Sequence, residues 1–147
     1  MKKKIIFLDF DGVLHPLGSS LNNFFSASKN FFDLIKDANV SIVISSSWQF
    51  DSNYSQIKSK LPEPIRKKIL GETGIKYEGT KSRIREIQYF LLQNNLQNID
   101  WIALDDQPDK FGDDFNKLIL CNPKTGITRM EIIKILKWLK KRNKSNE

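Results

Sequence analysis

Cysteine occurs once in the chain, at Cys121. A single thiol excludes an internal disulfide framework and fits a reducing compartment, so the cytoplasm is the expected location. Long apolar runs are also missing. The longest are a few residues, such as IIFL and VIS, and no stretch has the length to span a bilayer. The KKK at residues 2–4 leads into an acidic motif rather than a signal-peptide core. Internal repeats and low-complexity linkers are absent. Acids are outnumbered, 17 against 24 Lys and Arg, for a net charge of +7. Such a balance can attract nucleic acid or another polyanion. The bases gather at the ends, however (Lys2, Lys3, Lys4, then Lys137, Lys140, Lys141, Arg142 and Lys144), where charge runs are commonly just solvated.

What is present is globular in composition, with 39% hydrophobic residues over 147, enough chain for one domain and a real core. A single domain over residues 1–147 is expected, its last few residues a disordered basic tail. Residues 4–9 read as a strand apolar on both faces, which suggests a central parallel position. Residues 40–45, 101–105 and 118–121 read as three more. Helical patterns lie between them. Residues 26–38 carry Phe31, Phe32, Leu34 and Ile35 at helical spacing, and residues 62–70 read as a short helix opened by Pro62 and Pro64. Thr80 is a candidate cap for a helix reaching about residue 95, with Ile84, Ile87, Phe90 and Leu91 on one stripe. Thr128 and Glu131 make a capping box for the last helix, with Leu136 and Leu139 expected inward.

Alternating strands and helices predict an α/β chain: a Rossmann-like, three-layer α/β/α sandwich around a mainly parallel sheet. Ligands of such sheets bind at the carboxyl ends of the strands. That rule brings three clusters together: Asp9 and Asp11 after the first strand, Ser45 to Ser47 after the second, Asp105 and Asp106 after the third. Carboxylates crowded at low dielectric repel one another unless a cation neutralises them, and Mg²⁺ is a hard ion suited to carboxylate, water and phosphate oxygens. The serine hydroxyls can hold phosphate oxygens without adding charge, although serines at a strand end also serve as plain turn residues. Lys81, Arg83 and Arg85 open a helix, where a cation could neutralise phosphate. Trp48 is most simply a packing residue, and Asp109 and Asp113 read as surface acids.

FLDFDGVLH, IVISSSWQ, GTKSRIREI and WIALDDQPDKF, in this order, resemble the four motifs of the haloacid dehalogenase-like (HAD) hydrolase superfamily over nearly the whole chain. SSSW, the R-x-x-E-I helix start, LDD and the late N-P-x-T-G-I-T segment are similar to the small HAD domains of Swiss-army-knife RNA repair proteins. The resemblance implies that Asp9 is the nucleophile and Asp11 the general acid/base. It implies Ser46, with Ser45 second, and Arg83, with Lys81 second, as the phosphate-binding groups. Mg²⁺ would be held by Asp9, Asp106 and the backbone carbonyl of Asp11, with Asp105 in support. Gln49 stands where those relatives often carry Arg.

The activity so implied is that of a Mg²⁺-dependent phosphatase working through an aspartyl-phosphate. Only about a dozen residues separate Asp11 from the helix near Ser26, too few for a large cap domain. An open site suits a large phosphorylated substrate such as a nucleic-acid end. The competing expectation is a non-catalytic phosphate-binding or phospho-acceptor module.

Overall fold

The structure, a computed structural model, describes residues 4–141. The expected basic tail, with Arg142 and Lys144, lies outside the described residues, as do Lys2 and Lys3.

Five strands form one sheet: β1 (Lys4–Leu8), β2 (Val40–Ile44), β3 (Ile69–Glu72), β4 (Asp100–Asp105) and β5 (Leu118–Leu120), in spatial order β3-β2-β1-β4-β5. Every pairing is parallel. All five residues of β1 are buried, because helices cover both faces. Ile6 and Leu8 pack on one side with Phe31, Phe32 and Ile35 of α1 (Lys29–Ile35) and Ile135 of α6 (Arg129–Lys140). Ile5 and Phe7 pack on the other with Ile84, Ile87, Phe90 and Leu91 of α5 (Ser82–Gln93), the stripe expected there. Three layers result, a doubly wound, Rossmann-like α/β fold, and among the described residues no separate cap domain is inserted.

The register matters most for function. Leu8 lies beside Ile44 on one flank and Leu104 on the other. Backbone bonds carry the alignment one residue further: Asp9 N–H donates to the Leu104 carbonyl (3.1 Å), and Ser45 N–H to the Leu8 carbonyl (2.9 Å). Asp9, Ser45 and Asp105 therefore leave the sheet abreast, at the point where strand order reverses between β1 and β4.

The structure corrects several expectations. The helix expected over residues 62–70 is a single turn, α4 (Glu63–Arg66), and the chain then enters β3, a fifth strand. The sequence there, ILGE, has no apolar alternation, and its pairing with β2 slips at a bulge where Gly71 meets Val43. Two more short helices, α2 (Trp48–Asp51) and α3 (Tyr54–Ser59), fill the stretch before it. Thr80 caps nothing: Lys81 takes the N-cap position of α5 with a left-handed backbone (φ 64°) and no side-chain cap. The Thr128–Glu131 capping box does form. In α6 Ile135 is fully buried and Leu139 packs against the core, whereas Leu136 turns outward. Lys4 is buried rather than solvated. Its ammonium donates to the carbonyls of Trp138 and Lys141, lies 3.7 Å from Asp100 and sits over the Trp138 ring, pinning β1 to the end of α6.

Candidate active site

Three carboxylates meet where β1 and β4 end. Asp9, Asp105 and Asp106 are all buried, and each offers an oxygen within 4.8 Å of the others. Asp9 Oδ1 accepts the Phe10 N–H at 2.8 Å. Asp105 Oδ1 accepts the N–H groups of Asp106 and Gln107 at 2.8 and 3.1 Å, which turns its Oδ2 toward the interior. Burial and the neighbouring Asp105 carboxylate raise Asp9 well above the usual carboxylate range. Burial likewise pushes Asp105 up to about 6, against the pull of Arg83. One cation answers this crowding. Arg83 is itself buried, with Nε 3.5 Å from Asp105 Oδ2 and 3.9 Å from Glu86 Oε1 and a terminal nitrogen donating to the Ser45 carbonyl. Burial opposes its charge, but Asp105, Asp9 and Glu86 hold it protonated and raise its pKa.

Two oxygens of the group still lack a hydrogen bond, although one of them, Asp105 Oδ2, is ion-paired with Arg83. Asp105 Oδ2 and Asp106 Oδ1 are buried without a hydrogen bond. Buried carboxylate oxygens without a hydrogen bond, inside a cluster of three acids, are the donor set a hard, oxygen-seeking cation requires, so the residues present fit Mg²⁺. Gly12 shows how closely the backbone approaches. Its φ is +78°, and a Cβ built there would lie 2.2 Å from Asp106 Oδ2.

The Asp11 carboxylate lies outside that three-acid group and has two partners of its own. His15 Nε2 is 2.7 Å from Oδ1, and Trp48 Nε1–H donates to Oδ2 at 3.0 Å. Both partners were missed in the sequence as groups with a role. His15 stands four residues past Asp11 in the same motif, and Trp48 closes SSSW, but nothing in a linear pattern shows that a β2-side tryptophan reaches across to a β1-side carboxylate. Gln49, the departure noted above, is buried and ties α2 to the end of β3. Its Nε2 donates to Thr73 Oγ1 (2.8 Å) and its Oε1 accepts the Gly74 N–H (2.7 Å).

The two serines differ. Ser46 Oγ accepts the Trp48 N–H at 3.2 Å, whereas Ser45 Oγ is buried with no partner. Lys81 is half exposed, and its ammonium lies 3.7 Å from Asp113 rather than in the acidic group. Asp109 is exposed and offers only its carbonyl, to the Lys81 N–H. Beside Arg83 a cleft of about 120 Å³ opens between α2 and α5, lined among others by Phe50, Lys76, Tyr77, Glu86 and Lys110. Lys76 lies over the Phe50 ring and the Arg85 guanidinium over Tyr77 at 4.1 Å. A larger depression, about 570 Å³, sits at the opposite end of β2 around Val40, Glu63 and Lys67, away from these acids.

The family model described as the HAD domain in Swiss Army Knife RNA repair proteins matches residues 5–132. That span takes in every acid, serine and cation of this site. No curated protein and no solved structure matches the chain. Among the described residues no helix is long and apolar enough to cross a membrane.

Proposed function

Because the chain belongs to the family of HAD domains found in Swiss Army Knife RNA repair proteins, we propose that it is a Mg²⁺-dependent phosphatase that transfers phosphoryl groups through Asp9. The observation that carries this reading is the convergence of buried Asp9, Asp105 and Asp106, two of whose oxygens lack a hydrogen bond, with Arg83 ion-paired to Asp105.

In the mechanism, an oxygen of the Asp9 carboxylate attacks phosphorus in line, and the bond from phosphorus to the ester oxygen breaks. Asp11 delivers a proton to the departing oxygen. The aspartyl-phosphate is then hydrolysed by a water whose proton Asp11 accepts, which releases inorganic phosphate, frees the Asp9 carboxylate and returns Asp11 to its protonated form. Asp9, Asp106 and the Asp11 carbonyl would hold Mg²⁺, with Asp105 in support; bound there, the ion supplies charge neutralisation for the phosphoryl oxygens and for the acids themselves. Asp9 must be ionised to attack. Arg83 works in that direction, since it lowers the pKa that burial raises. The Ser45 and Ser46 hydroxyls and the Arg83 guanidinium are the groups available to the phosphate oxygens. The unpartnered Ser45 Oγ makes that residue as strong a candidate as Ser46. Lys81, held beside Asp113, is the weaker cation of the two expected.

The proposed substrate is the phosphorylated end of a nucleic acid strand. Among the described residues no cap domain covers the site, and an uncovered site admits a long chain. The cleft beside Arg83 offers Lys76 and Lys110 for backbone phosphates, with Glu78 and Glu86 also in its lining. The test is turnover of p-nitrophenyl phosphate and of 3′- and 5′-phosphorylated oligonucleotides with Mg²⁺, for the unsubstituted protein and for Asp9→Asn. Expected is release of phosphate that Asp9→Asn lowers by at least about a thousandfold. Absence of Asp9-dependent turnover across the panel sinks the enzyme reading. A stably phosphorylated Asp9 without turnover would support the phospho-acceptor module instead.

A further inference from the structure

Asp11 is the one proposed catalytic carboxylate that is not enclosed. Its side chain is 37% exposed, at the mouth of the site, where water alone could satisfy it. Both its oxygens are nevertheless held by protein donors, His15 at 2.7 Å and Trp48 at 3.0 Å. The His15 side chain is fully buried, and the chain fixes its tautomer. Its Nδ1 faces the Phe25 N–H at 3.2 Å. A backbone N–H can only donate, so Nδ1 is the acceptor and the ring proton sits on Nε2, aimed at Asp11.

This arrangement is built at a cost. Phe25 adopts a left-handed backbone (φ 66°), a conformation unfavourable for a bulky side chain and kept only where the surroundings over-determine it. Phe24 stacks on the His15 ring, with centroids 4.8 Å apart, and Trp48 packs against Phe10, Phe24 and Phe25. The segment between β1 and α1, too short to make a cap domain, instead wraps the ring that holds Asp11. A histidine buried merely as packing would need neither a strained N–H donor behind it nor an exposed carboxylate in front.

We propose that His15 and Trp48 are positioning residues that clamp Asp11 in the orientation from which it hands its proton to the leaving oxygen. The inference rests on the phosphatase reading above, with Asp11 as its acid. Asp11 has two side-chain torsions, and a donor on each oxygen holds both. Proton transfer is then ready when the ester arrives, without a cap closing to orient the acid.

The test compares two aryl esters of nearly the same size, phenyl phosphate and p-nitrophenyl phosphate. Nitrophenolate departs without help, whereas the more basic phenolate needs a proton. The value of kcat/KM reports the steps up to phosphoryl transfer, so it isolates Asp11 acting as acid. Trp48→Phe keeps an aromatic ring in the cluster and removes the N–H donor together with the second ring of the indole, and the comparison of two esters separates the lost donor from a general loss of packing. The variant is expected to lower kcat/KM for phenyl phosphate about tenfold further than for p-nitrophenyl phosphate, a partial version of the general-acid contribution. His15→Gln, which keeps an N–H donor, is expected to retain more of the phenyl phosphate rate than His15→Leu. Asp11→Asn sets the full size of the discrimination. Equal losses on the two esters, or no loss in Trp48→Phe and His15→Leu, overturn the clamp while leaving the phosphatase reading intact. Lack of Asp9-dependent turnover in the unsubstituted protein removes both, and is seen before any clamp variant is measured.

Discussion

At Gly12 the backbone turns beside Asp106 so closely that even one carbon has no room. Ala at this position meets both a steric and a conformational penalty, since φ of +78° disfavours any side chain. Gly12→Ala is expected to destabilise the fold by about 1–3 kcal/mol. It should also displace the Asp106 carboxylate and weaken Mg²⁺ binding by about tenfold or more. Denaturant melts and metal titration by calorimetry read the two effects separately.

The acids of the site also set a pH dependence. Asp105 has its pKa raised from 3.8 to about 6, chiefly by burial, and Asp9, Glu72 and Glu86 move in the same direction. A carboxyl with a raised pKa holds its proton in the folded protein while the unfolded chain has released it. Its contribution is therefore full below the unfolded value and is lost as pH rises through the folded one. Without metal, the melting temperature should fall between pH 3.8 and about 6. Mg²⁺, which favours the ionised carboxylates, should bind more tightly over the same interval. Thermal melts across that range, with and without Mg²⁺, check both; a metal-free melting temperature that rises with pH contradicts the assignment.

Among the elements, β3 depends most on its neighbours. It lies at the sheet edge, pairs only with β2, and carries a bulge and a glycine. Its far end is held from outside by Gln49 of α2, through Thr73 and Gly74. Gln49→Ala would leave the Thr73 hydroxyl and the Gly74 N–H without their partner. A loss of about 1–3 kcal/mol is expected, together with faster amide exchange in residues 69–74. Retention of both stability and protection would show that the tie is dispensable. The opposite case is α6, whose start is set locally. Thr128 and Glu131 satisfy each other three residues apart, which is why that boundary was legible in the sequence while the start of α5, a left-handed Lys81 without a side-chain cap, was not.

On the scale of the whole molecule, the fold gathers residues from four separated segments at the carboxyl ends of the strands, and the three acids there repel one another in the folded state alone. An ion that binds the native cluster and not the unfolded chain stabilises by mass action, about 2.7 kcal/mol at a hundredfold excess over its Kd. Mg²⁺ should therefore raise the melting temperature, and Asp106→Asn should remove most of that rise. An equal rise in the variant would place the ion elsewhere.

By itself the sequence determined the fold class and the set of acids. Apolar runs such as IIFL and WIAL, alternating with helical patterns, read as strands buried on both faces, and a carboxylate directly after such a strand emerges at its carboxyl end. Those are local facts of pattern, and Asp9, Asp105 and Asp106 were legible from them. Only the tertiary structure decided which groups face one another. The register that sets Leu8 beside Leu104 brings Asp9 and Asp105 abreast. Packing between strands distant in sequence delivers the Trp48 N–H to Asp11 and buries Lys4 beneath α6. A β strand as irregular as ILGE exists because β2 offers it hydrogen bonds. Contacts of this kind depend on distance in space, which no spacing along the chain encodes.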